Sequence, residues 1–200
     1  MAETFINLTE GSGKKAHAWD RTIGANTVLD EFVLPGEYPL ATYTVIATAI
    51  SIATVNDHVV QIMAGASLNV RIRRIKIHQR GLTSGVTMGA FDLYRLTTAG
   101  TGGSSITPAK RNNADSAAGA TAMSLPSSKG TEGVQVDRLD LAIIQTAPIT
   151  TGPVLWEQHP STEPLIIPAG TSNGLAIKSV VAAATATVDV VVEIVETSFV

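Results

Sequence analysis

Residues 68–79 read Leu-Asn-Val-Arg-Ile-Arg-Arg-Ile-Lys-Ile-His-Gln. Apolar and polar residues alternate along this stretch, which is the period of a β-strand with one buried face. The alternation slips once, at Arg73 and Arg74, and a β-bulge at the slip would turn all the apolar residues inward. These residues are Leu68, Val70, Ile72, Ile75 and Ile77. The alternative is a strand that ends at Arg73 and turns a corner into a second sheet. Either way, the sequence predicts a strand with a dry face and a wet, basic face.

The composition limits the classes of protein that the chain can form. Its 200 residues suit one domain, or one domain with arms. It has no cysteine, which excludes disulfides, thiolate metal sites and cysteine nucleophiles. The net charge of -3 does not favour nucleic acid. Charged residues make up 16% of the chain, against about 25% in typical soluble domains. This suggests neutral surface that is buried against other subunits, and a weakly charged monomer is the alternative.

No segment predicts export or membrane insertion. Residues 1–10 lack both the basic start and the apolar run of a signal peptide. The longest apolar stretches, at 45–55 and 180–195, are interrupted by polar residues and rich in β-branched ones. Neither has the roughly 18 uninterrupted apolar residues of a membrane helix, so we expect strands there and no membrane partner.

The first part of the chain differs in kind from the rest. Residues 1–40 have little periodicity, but they contain Trp19, Phe32 and Tyr38, which would gain from docking onto a surface. We therefore expect an extended N-terminal arm, followed by a β-sandwich domain at 41–200. A poorly ordered leader is the alternative.

A second unusual segment lies inside the expected domain. Residues 98–133 are rich in Gly, Ser, Thr and Ala, and we expect one long insertion loop there. The part at 114–124 has enough alanine for a short helix.

The remaining segments predict an all-β fold. About eight strands separated by turn signals are typical of a sandwich or barrel, and we expect a jelly-roll-like antiparallel β-sandwich. The strands are predicted at 43–54, 58–63, 68–79, 88–97, 134–147, 154–157, 165–167, 175–181 and 186–196. At 43–54 apolar residues occur on both parities, so both faces are expected to be partly covered.

The strand predicted at 186–196 has the clearest alternation in the chain. Its inward residues are expected to be Val188, Val190, Val192 and Ile194. Val191 and Val195 interrupt the polar outer face, which suggests that a neighbour partly covers it.

Candidate catalytic and metal-binding patterns have simpler structural explanations. Residues 170–174 match G-x-S-x-G, but a nucleophile elbow needs a helix after the serine and the sequence predicts a strand. We expect a hairpin turn in which the glycines and Asn173 adopt positive φ. The four histidines lie in four different segments without metal-ligand spacing. We therefore expect no catalytic, metal-binding or cofactor-binding residues, and no enzyme activity.

One dense basic cluster is present, and it comprises Arg71, Arg73, Arg74, Lys76 and Arg80. A nucleic-acid platform would combine such charge with stacking aromatic residues, and aromatics make up only 4% of this chain. We expect the basic residues to pair with carboxylates across strands or subunits, and we expect no direct contact with nucleic acid. The shortage of aromatic residues also disfavours a carbohydrate-binding module.

The last third of the chain resembles a known group of proteins. Residues 154–157 (Val-Leu-Trp-Glu), 163–170 (Glu-Pro-Leu-Ile-Ile-Pro-Ala-Gly) and 173–177 (Asn-Gly-Leu-Ala-Ile) precede a valine-rich strand. This order, with the basic strand and the Gly/Ser/Thr-rich insertion before it, resembles small structural proteins of tailed bacteriophage particles. The resemblance covers roughly residues 69–196.

The resemblance implies a jelly-roll decoration (cement) protein. Such proteins form oligomers, often trimers, on the capsid lattice and bridge neighbouring capsid subunits. The expected partners are sister copies and the major capsid protein, and the expected location is the capsid exterior of the virion after synthesis in the host cytoplasm. A tail-associated receptor- or glycan-binding jelly roll is the alternative, and an enzyme is a more distant one.

The residues expected at the interface are basic or aromatic and lie in the arm, the basic strand and the insertion. They are Lys14, Lys15, Trp19, Arg21, Phe32, Tyr38, Arg73, Arg74, Lys110 and Arg111.

Overall fold

The molecule is described from a computed structural model. The described backbone comprises residues 3–7, 15–23, 26–31, 40–82, 86–144, 154–159, 161–183 and 185–198. The described side chains belong to residues 40–80, 89–140, 154–159, 161–183 and 185–198. The chain divides into two compact units, Met1–Pro39 and Leu40–Val200.

The first unit contains a small antiparallel sheet in the order β1-β2-β3. Its strands are β1 (Glu3–Asn7), β2 (Lys15–Ile23) and β3 (Asn26–Glu31). The segment that we expected to be an extended arm thus has regular strand pairing in its described parts. The sequence pattern did not indicate these strands, because residues such as Ala16 and Ala18 give β2 little hydrophobic contrast.

The second unit contains two antiparallel sheets, which confirms the predicted all-β sandwich. Sheet I has the order β12-β6-β15-β4-β9, and β13 also pairs with β6. Sheet II has the order β11-β7-β14-β5-β10-β8. The strands are β4 (Thr42–Ser51), β5 (His58–Met63), β6 (Asn69–Leu82), β7 (Val86–Leu96), β8 (Ser104–Ile106), β9 (Ala109–Lys110), β10 (Thr121–Ser124), β11 (Glu132–Ile144), β12 (Val154–Glu157), β13 (Leu165–Ile167), β14 (Gly174–Ser179) and β15 (Ala186–Thr197). No helix in the described part of the chain is long and apolar enough to cross a membrane.

The inner faces of the two sheets share one apolar core. Its fully buried members include Val70, Ile72, Ile75, Ile77, Val188, Val192 and Ile194 from sheet I, and Val60, Phe91, Leu93, Leu175 and Ile177 from sheet II. Each such aliphatic or aromatic side chain contributes about 1.5–3 kcal/mol by leaving water. The predicted inward residues of 186–196 are confirmed, since all four are at most 1% exposed.

The slip in the basic strand is a β-bulge, as the sequence predicted. Glu193 of β15 pairs with Arg74, whereas the next residue, Ile194, pairs with Ile72, so Arg73 is the extra residue. Ile72 and Ile75 on either side of the two arginines are both fully buried. The strand continues to Leu82, which excludes the corner. Only Leu68 departs from the prediction, because it precedes β6 and is 36% exposed.

Residues 43–54 carry apolar residues on both parities, from which we expected both faces to be at least partly covered. Ile46 is 49% exposed, and the change of parity comes from a second bulge. Val188 pairs with Ile50 and Val190 with Ala47, so two residues of β4 lie opposite one residue of β15. The bulge explains why apolar residues on both parities of the sequence share one buried face.

The expected helix at 114–124 is not present. The last four residues of that range form β10, which pairs with both β5 and β8. Just before it, the buried carboxylate of Glu196 accepts hydrogen bonds from the backbone N–H groups of Gly119 (3.0 Å) and Ala120 (2.6 Å). The side chain of Asn112 accepts another from the N–H of Ala114. These bonds outweigh the intrinsic helix preference of alanine, and the insertion packs as short strands and turns.

The turn at 170–174 is neither a nucleophile elbow nor a hairpin. It connects β13 of sheet I to β14 of sheet II, and a strand follows it. Gly170 has a φ of 124°, while Asn173 and Gly174 do not have a positive φ, contrary to the prediction. The amide of Asn173 instead donates to the carbonyl oxygens of Pro168 and Ala169, which holds the crossover in place.

Candidate functional site: the arginine face of sheet I

The bulge in β6 places three arginines on the same outer face of sheet I. In a regular strand, successive side chains point to opposite faces, so Arg73 and Arg74 could not both face outward. The extra residue removes this restriction, because both arginines lie between the buried residues Ile72 and Ile75. Arg71, one position before Ile72, also faces outward. Bulges commonly re-aim side chains in this way beside functional sites.

These arginines surround an open depression of about 440 Å³. Its lining comprises Arg71, Arg73, Arg74, Glu157, Gln158 and Glu193. Three of these residues come from β6, two from the end of β12 and the segment after it, and one from β15. We call this site the arginine depression.

Of the three arginines that line the depression, Arg74 is the one that forms ion pairs with described carboxylates. Its Nη2 lies 3.0 Å from Oε1 of Glu193, and its Nη1 lies 3.5 Å from Oε1 of Glu157. The same oxygen of Glu193 accepts a hydrogen bond from Arg111 at 2.9 Å. Burial alone would raise the pKa of Glu193, but the hydrogen bond from Arg74 and the nearby charges, including that of Arg111, outweigh it, so the pKa lies below its usual value. The hydrogen bond to Glu193 and its charge raise the pKa of Arg74.

Arg71 and Arg73 retain unused hydrogen-bond donors. Nε of Arg71 donates to the neutral amide oxygen of Gln158 at 2.8 Å, and its side chain contacts no carboxylate of the described residues. Arg73 is exposed, and no carboxylate in the described ranges lies within 4.0 Å of its guanidinium. The depression therefore carries two guanidinium groups that form no ion pair with a described carboxylate.

A partly exposed apolar row, interrupted by Lys76, runs beside the arginine depression on the same face. Val191 of β15 pairs with Ile46 on one side and with Lys76 on the other, and Lys76 pairs with Val154. Ile46 is 49% exposed and Val154 is 40% exposed. We call Ile46, Val191 and Val154 the apolar row. The irregular valine at 191, noted in the sequence, lies at its centre.

The structure brings some of the expected interface residues together. Arg74 and Arg111 meet at Glu193, with Arg73 beside them in the depression. Lys110 is exposed on β9 at the far edge of sheet I, opposite Tyr43. Lys15, Trp19 and Arg21 belong to β2, and their side chains lie outside the described part. Lys14, Phe32 and Tyr38 lie outside the described residues altogether.

Sequence reasoning did not identify the other residues of the site. Glu157, Gln158 and Glu193 come from strands or loops far from β6 in sequence, and Arg74 and Glu193 are 119 positions apart. Ile46, which we expected to be partly covered, is about half exposed. Only cross-strand pairing places these residues together, so the one signal in the sequence was the irregular outer face of 186–196.

A second polar cluster lies under the insertion, on the outer side of sheet II. Nε2 of the fully buried His58 lies 2.9 Å from Oε1 of Glu132, whose Oε2 accepts a hydrogen bond from Lys178 at 2.9 Å. Nδ1 of His58 contacts the amide of Gln61, and Oε1 of Gln61 accepts the N–H of Gly100 at 2.8 Å. This network fits a neutral imidazole that donates from Nε2 and accepts at Nδ1.

The pKa directions of His58 and Glu132 agree with a neutral imidazole beside an ionised carboxylate. Burial lowers the pKa of His58, and the hydrogen bond and charge of Glu132 only partly oppose it. Burial would raise the pKa of Glu132, but hydrogen bonds from Lys178 and His58, together with their charges, lower it overall. Because the polar groups of His58 and Gln61 are bonded within the protein, we assign this cluster to holding the insertion on sheet II.

Within the described ranges, no three His, Asp or Glu side chains are arranged to hold a metal ion. Comparisons with protein-family models, with curated proteins and with solved structures found no match to this chain.

Proposed function

We propose that this chain is a structural virion protein, a capsid decoration (cement) protein that oligomerises on a phage capsid and stabilises it. The observation that carries the proposal is the outer face of sheet I, where the arginine depression and the apolar row lie side by side. Adjacent exposed apolar groups and arginines are typical of surfaces that bind other proteins. The choice of a phage capsid as the partner comes from the sequence resemblance.

The order of the strands supports the jelly-roll part of the proposal. If β12 and β13 are counted as one edge strand, the main strands β4, β5, β6, β7, β11, β12/β13, β14 and β15 can be numbered from one to eight. Sheet I then has the order 6-3-8-1 and sheet II the order 5-4-7-2. Strands 1 and 8, 2 and 7, 3 and 6, and 4 and 5 are therefore neighbours, as in a long hairpin rolled into two sheets. This is the arrangement expected of a jelly roll.

β4 of sheet I and β5 of sheet II differ in how far they are covered, which also supports binding through sheet I. All six residues of β5 in sheet II are buried; β10 of the insertion pairs with β5, and the N–H of Gly100 donates to the side chain of Gln61. In β4 of sheet I, outward residues such as Ile46 and Thr48 remain exposed within the Leu40–Val200 unit. A decoration protein needs a face of this kind, and many modest contacts on a lattice add up to strong binding.

The alternative of a tail-associated receptor- or glycan-binding protein has less support. Sugar-binding surfaces present exposed aromatic rings. Trp156 is only partly exposed and packs against the core, Lys178 lies 4.9 Å from the centre of the Tyr94 ring, and Tyr43 and Phe91 are buried. None of the aromatic side chains in the described ranges is fully exposed.

The proposal is tested by mixing the purified full chain with empty phage capsids from the same source. We expect the chain to co-sediment with the capsids and to raise the temperature at which they disrupt. Size-exclusion chromatography with light scattering should give a homo-oligomer, with a trimer favoured. A chain that stays monomeric and does not sediment with the capsids would overturn the proposal.

A further inference from the structure

We propose that the arginine depression and the apolar row together bind an extended acidic segment of the capsid protein. In such a segment, a carboxylate side chain and an apolar side chain would lie two positions apart. The capsid as the source of this segment rests on the proposed function. The carboxylate-binding chemistry rests on the geometry of sheet I.

The first step is the charge that the depression leaves available. Arg73 and Arg71 supply guanidinium donors that are not used by described carboxylates, and both lie on the outer face in the lining of the depression. Guanidinium groups match carboxylates in shape and can donate two parallel hydrogen bonds to them. An incoming carboxylate would therefore find donors from two arginines in the same depression.

The second step is that the third arginine can exchange partners at little cost. Glu157 lies 3.5 Å from Arg74, and its side chain is 58% exposed. Exposed ion pairs of this kind contribute about 0–1 kcal/mol. A carboxylate from the partner can therefore displace Glu157 while Glu193 continues to hold Arg74.

The third step separates a peptide from nucleic acid. Glu157 and Glu193 line the same depression, and they would repel the closely spaced phosphates of a nucleic-acid strand. No described aromatic side chain lines the depression for base stacking. Isolated carboxylates on a peptide avoid this repulsion, because they can occupy the positions nearest Arg71 and Arg73.

The fourth step is the spacing between the charges and the apolar row. Arg74 pairs with Glu193, and two residues further along β6 Lys76 pairs with Val191. Two residues of a strand span about 7 Å, and a bound extended segment has the same repeat. A segment that runs along the strands would thus place an acidic side chain in the depression and an apolar one, two positions away, on the row.

The experiment measures binding of defined probes to the full chain by fluorescence anisotropy at low ionic strength. The probe is a labelled eight-residue peptide in which Glu alternates with Val, and its matched control has Gln in place of every Glu. We expect the Glu peptide to bind, the Gln peptide to bind at least tenfold more weakly, and added salt to weaken the interaction. Inorganic phosphate and a 20-nucleotide DNA strand should compete poorly.

Arg73→Gln tests the site itself. The side chain of Arg73 is exposed, and only its backbone carbonyl bonds to Gln158, so this variant should fold normally. We expect it to weaken the Glu peptide about tenfold. Arg138→Gln is the control on sheet II, where it removes an exposed positive group together with its ion pairs to Asp140 and Asp92, and it should not change binding of the Glu peptide. Equal loss in both variants, no binding of the Glu peptide, or tighter binding of DNA would overturn the inference.

Capsid binding separates this inference from the proposed function. If the wild-type chain and Arg73→Gln bind capsids equally well, the function stands and the inference is wrong. If neither chain binds capsids but the Glu peptide still depends on Arg73, the carboxylate site stands and the capsid assignment is wrong.

Discussion

At the scale of single residues, Asp189 stabilises the irregular parts of two neighbouring strands. Its Oδ1 accepts a hydrogen bond from the N–H of Ala49 at 2.7 Å, inside the bulge of β4. Ala49 has a φ of 55°, a left-handed conformation that costs a non-glycine residue about 1–2 kcal/mol. The same carboxylate pairs with Arg80 at 3.2 Å, and Arg80 is the extra residue of a further bulge in β6. One side chain thus offsets the cost of two departures from regular pairing.

Asp189→Ala is therefore expected to lower the free energy of unfolding by about 1–2 kcal/mol, because the N–H of Ala49 loses its acceptor. Asp189→Asn is the matched control. It keeps an oxygen that can accept from Ala49 and loses only the exposed pair with Arg80, so it should cost less than about 1 kcal/mol. Urea unfolding followed by circular dichroism measures both variants. If Asp189→Asn were as damaging as Asp189→Ala, the hydrogen bond to Ala49 would not be the main contribution.

Glu193 is expected to make stability depend on pH in the acid range. Its pKa in the folded protein lies below its ordinary value of 4.5. The group therefore stabilises the folded state above about pH 4.5, and this stabilisation is lost as the pH falls through the folded-state pKa. Glu193→Gln should lose about 1–2 kcal/mol at pH 7, and its deficit relative to wild type should shrink towards pH 3.

Glu157→Gln is the control for this measurement. Glu157 is largely exposed and lies farther from Arg74, so its removal should change stability by less than about 0.5 kcal/mol at any pH. Urea unfolding at several pH values gives the curves. A Glu193→Gln deficit that is the same at pH 3 and pH 7 would contradict the assigned ion pairs.

At the scale of elements, we expect that the bulge in β6 can be removed without changing the pairing of the rest of the strand. Deleting Arg73 leaves Val70, Ile72, Ile75 and Ile77 in strict alternation, so every inward residue keeps its place against β15. We expect this deletion to cost less than about 2 kcal/mol of stability and to abolish binding of the Glu peptide. Circular dichroism, urea unfolding and anisotropy test the three parts of this prediction.

Deleting Lys76 is the matched comparison, because it shortens the same strand by one basic residue. The remaining residues can no longer all keep their faces, so either an arginine becomes buried or an isoleucine becomes exposed. We expect a loss of about 3 kcal/mol or more. Similar stabilities for the two deletions would mean that the bulge at Arg73 is not what sets the register.

The elements that could be predicted from sequence are those with one strongly apolar face. In β6 and β15 the alternation is long enough to give both the strand and, in β6, its bulge. Strands of two to four residues, such as β9 and β10, carry too few residues for a period to be visible. The helix expected at 114–124 was wrong because a distant carboxylate, Glu196, binds that backbone. Local propensity holds no information about such a contact.

The candidate site, too, could be predicted from sequence only in part. Arg73, Arg74 and Arg111 could be proposed from charge alone, since basic residues on a wet strand face are visible in the sequence. Their partners Glu157 and Glu193 could not, because they come to the site through pairing between strands that are distant in the chain. The arginine depression is thus a property of the sheet and not of any single segment.

At the scale of the whole molecule, the Leu40–Val200 unit has two unlike outer faces. The insertion packs on part of sheet II through the His58, Glu132 and Lys178 network, and Glu196 of sheet I binds its backbone at Gly119 and Ala120. In sheet I the outer face carries the arginine depression and the apolar row, and the described residues of this unit leave them open. We therefore expect the contacts that matter for assembly to map to sheet I.

Ile46→Lys tests this expectation, because Ile46 belongs to the apolar row. The side chain is about half exposed, so the substitution should lower the stability of the isolated chain by less than about 1 kcal/mol. It would, however, place a charge in a surface that becomes dry on assembly, which is costly unless the charge is paired. We expect capsid co-sedimentation to weaken at least tenfold. Val134→Lys is the control, since Val134 is 75% exposed on β11 of sheet II. If both variants sediment with capsids like the wild type, the outer face of sheet I is not the surface that binds the capsid.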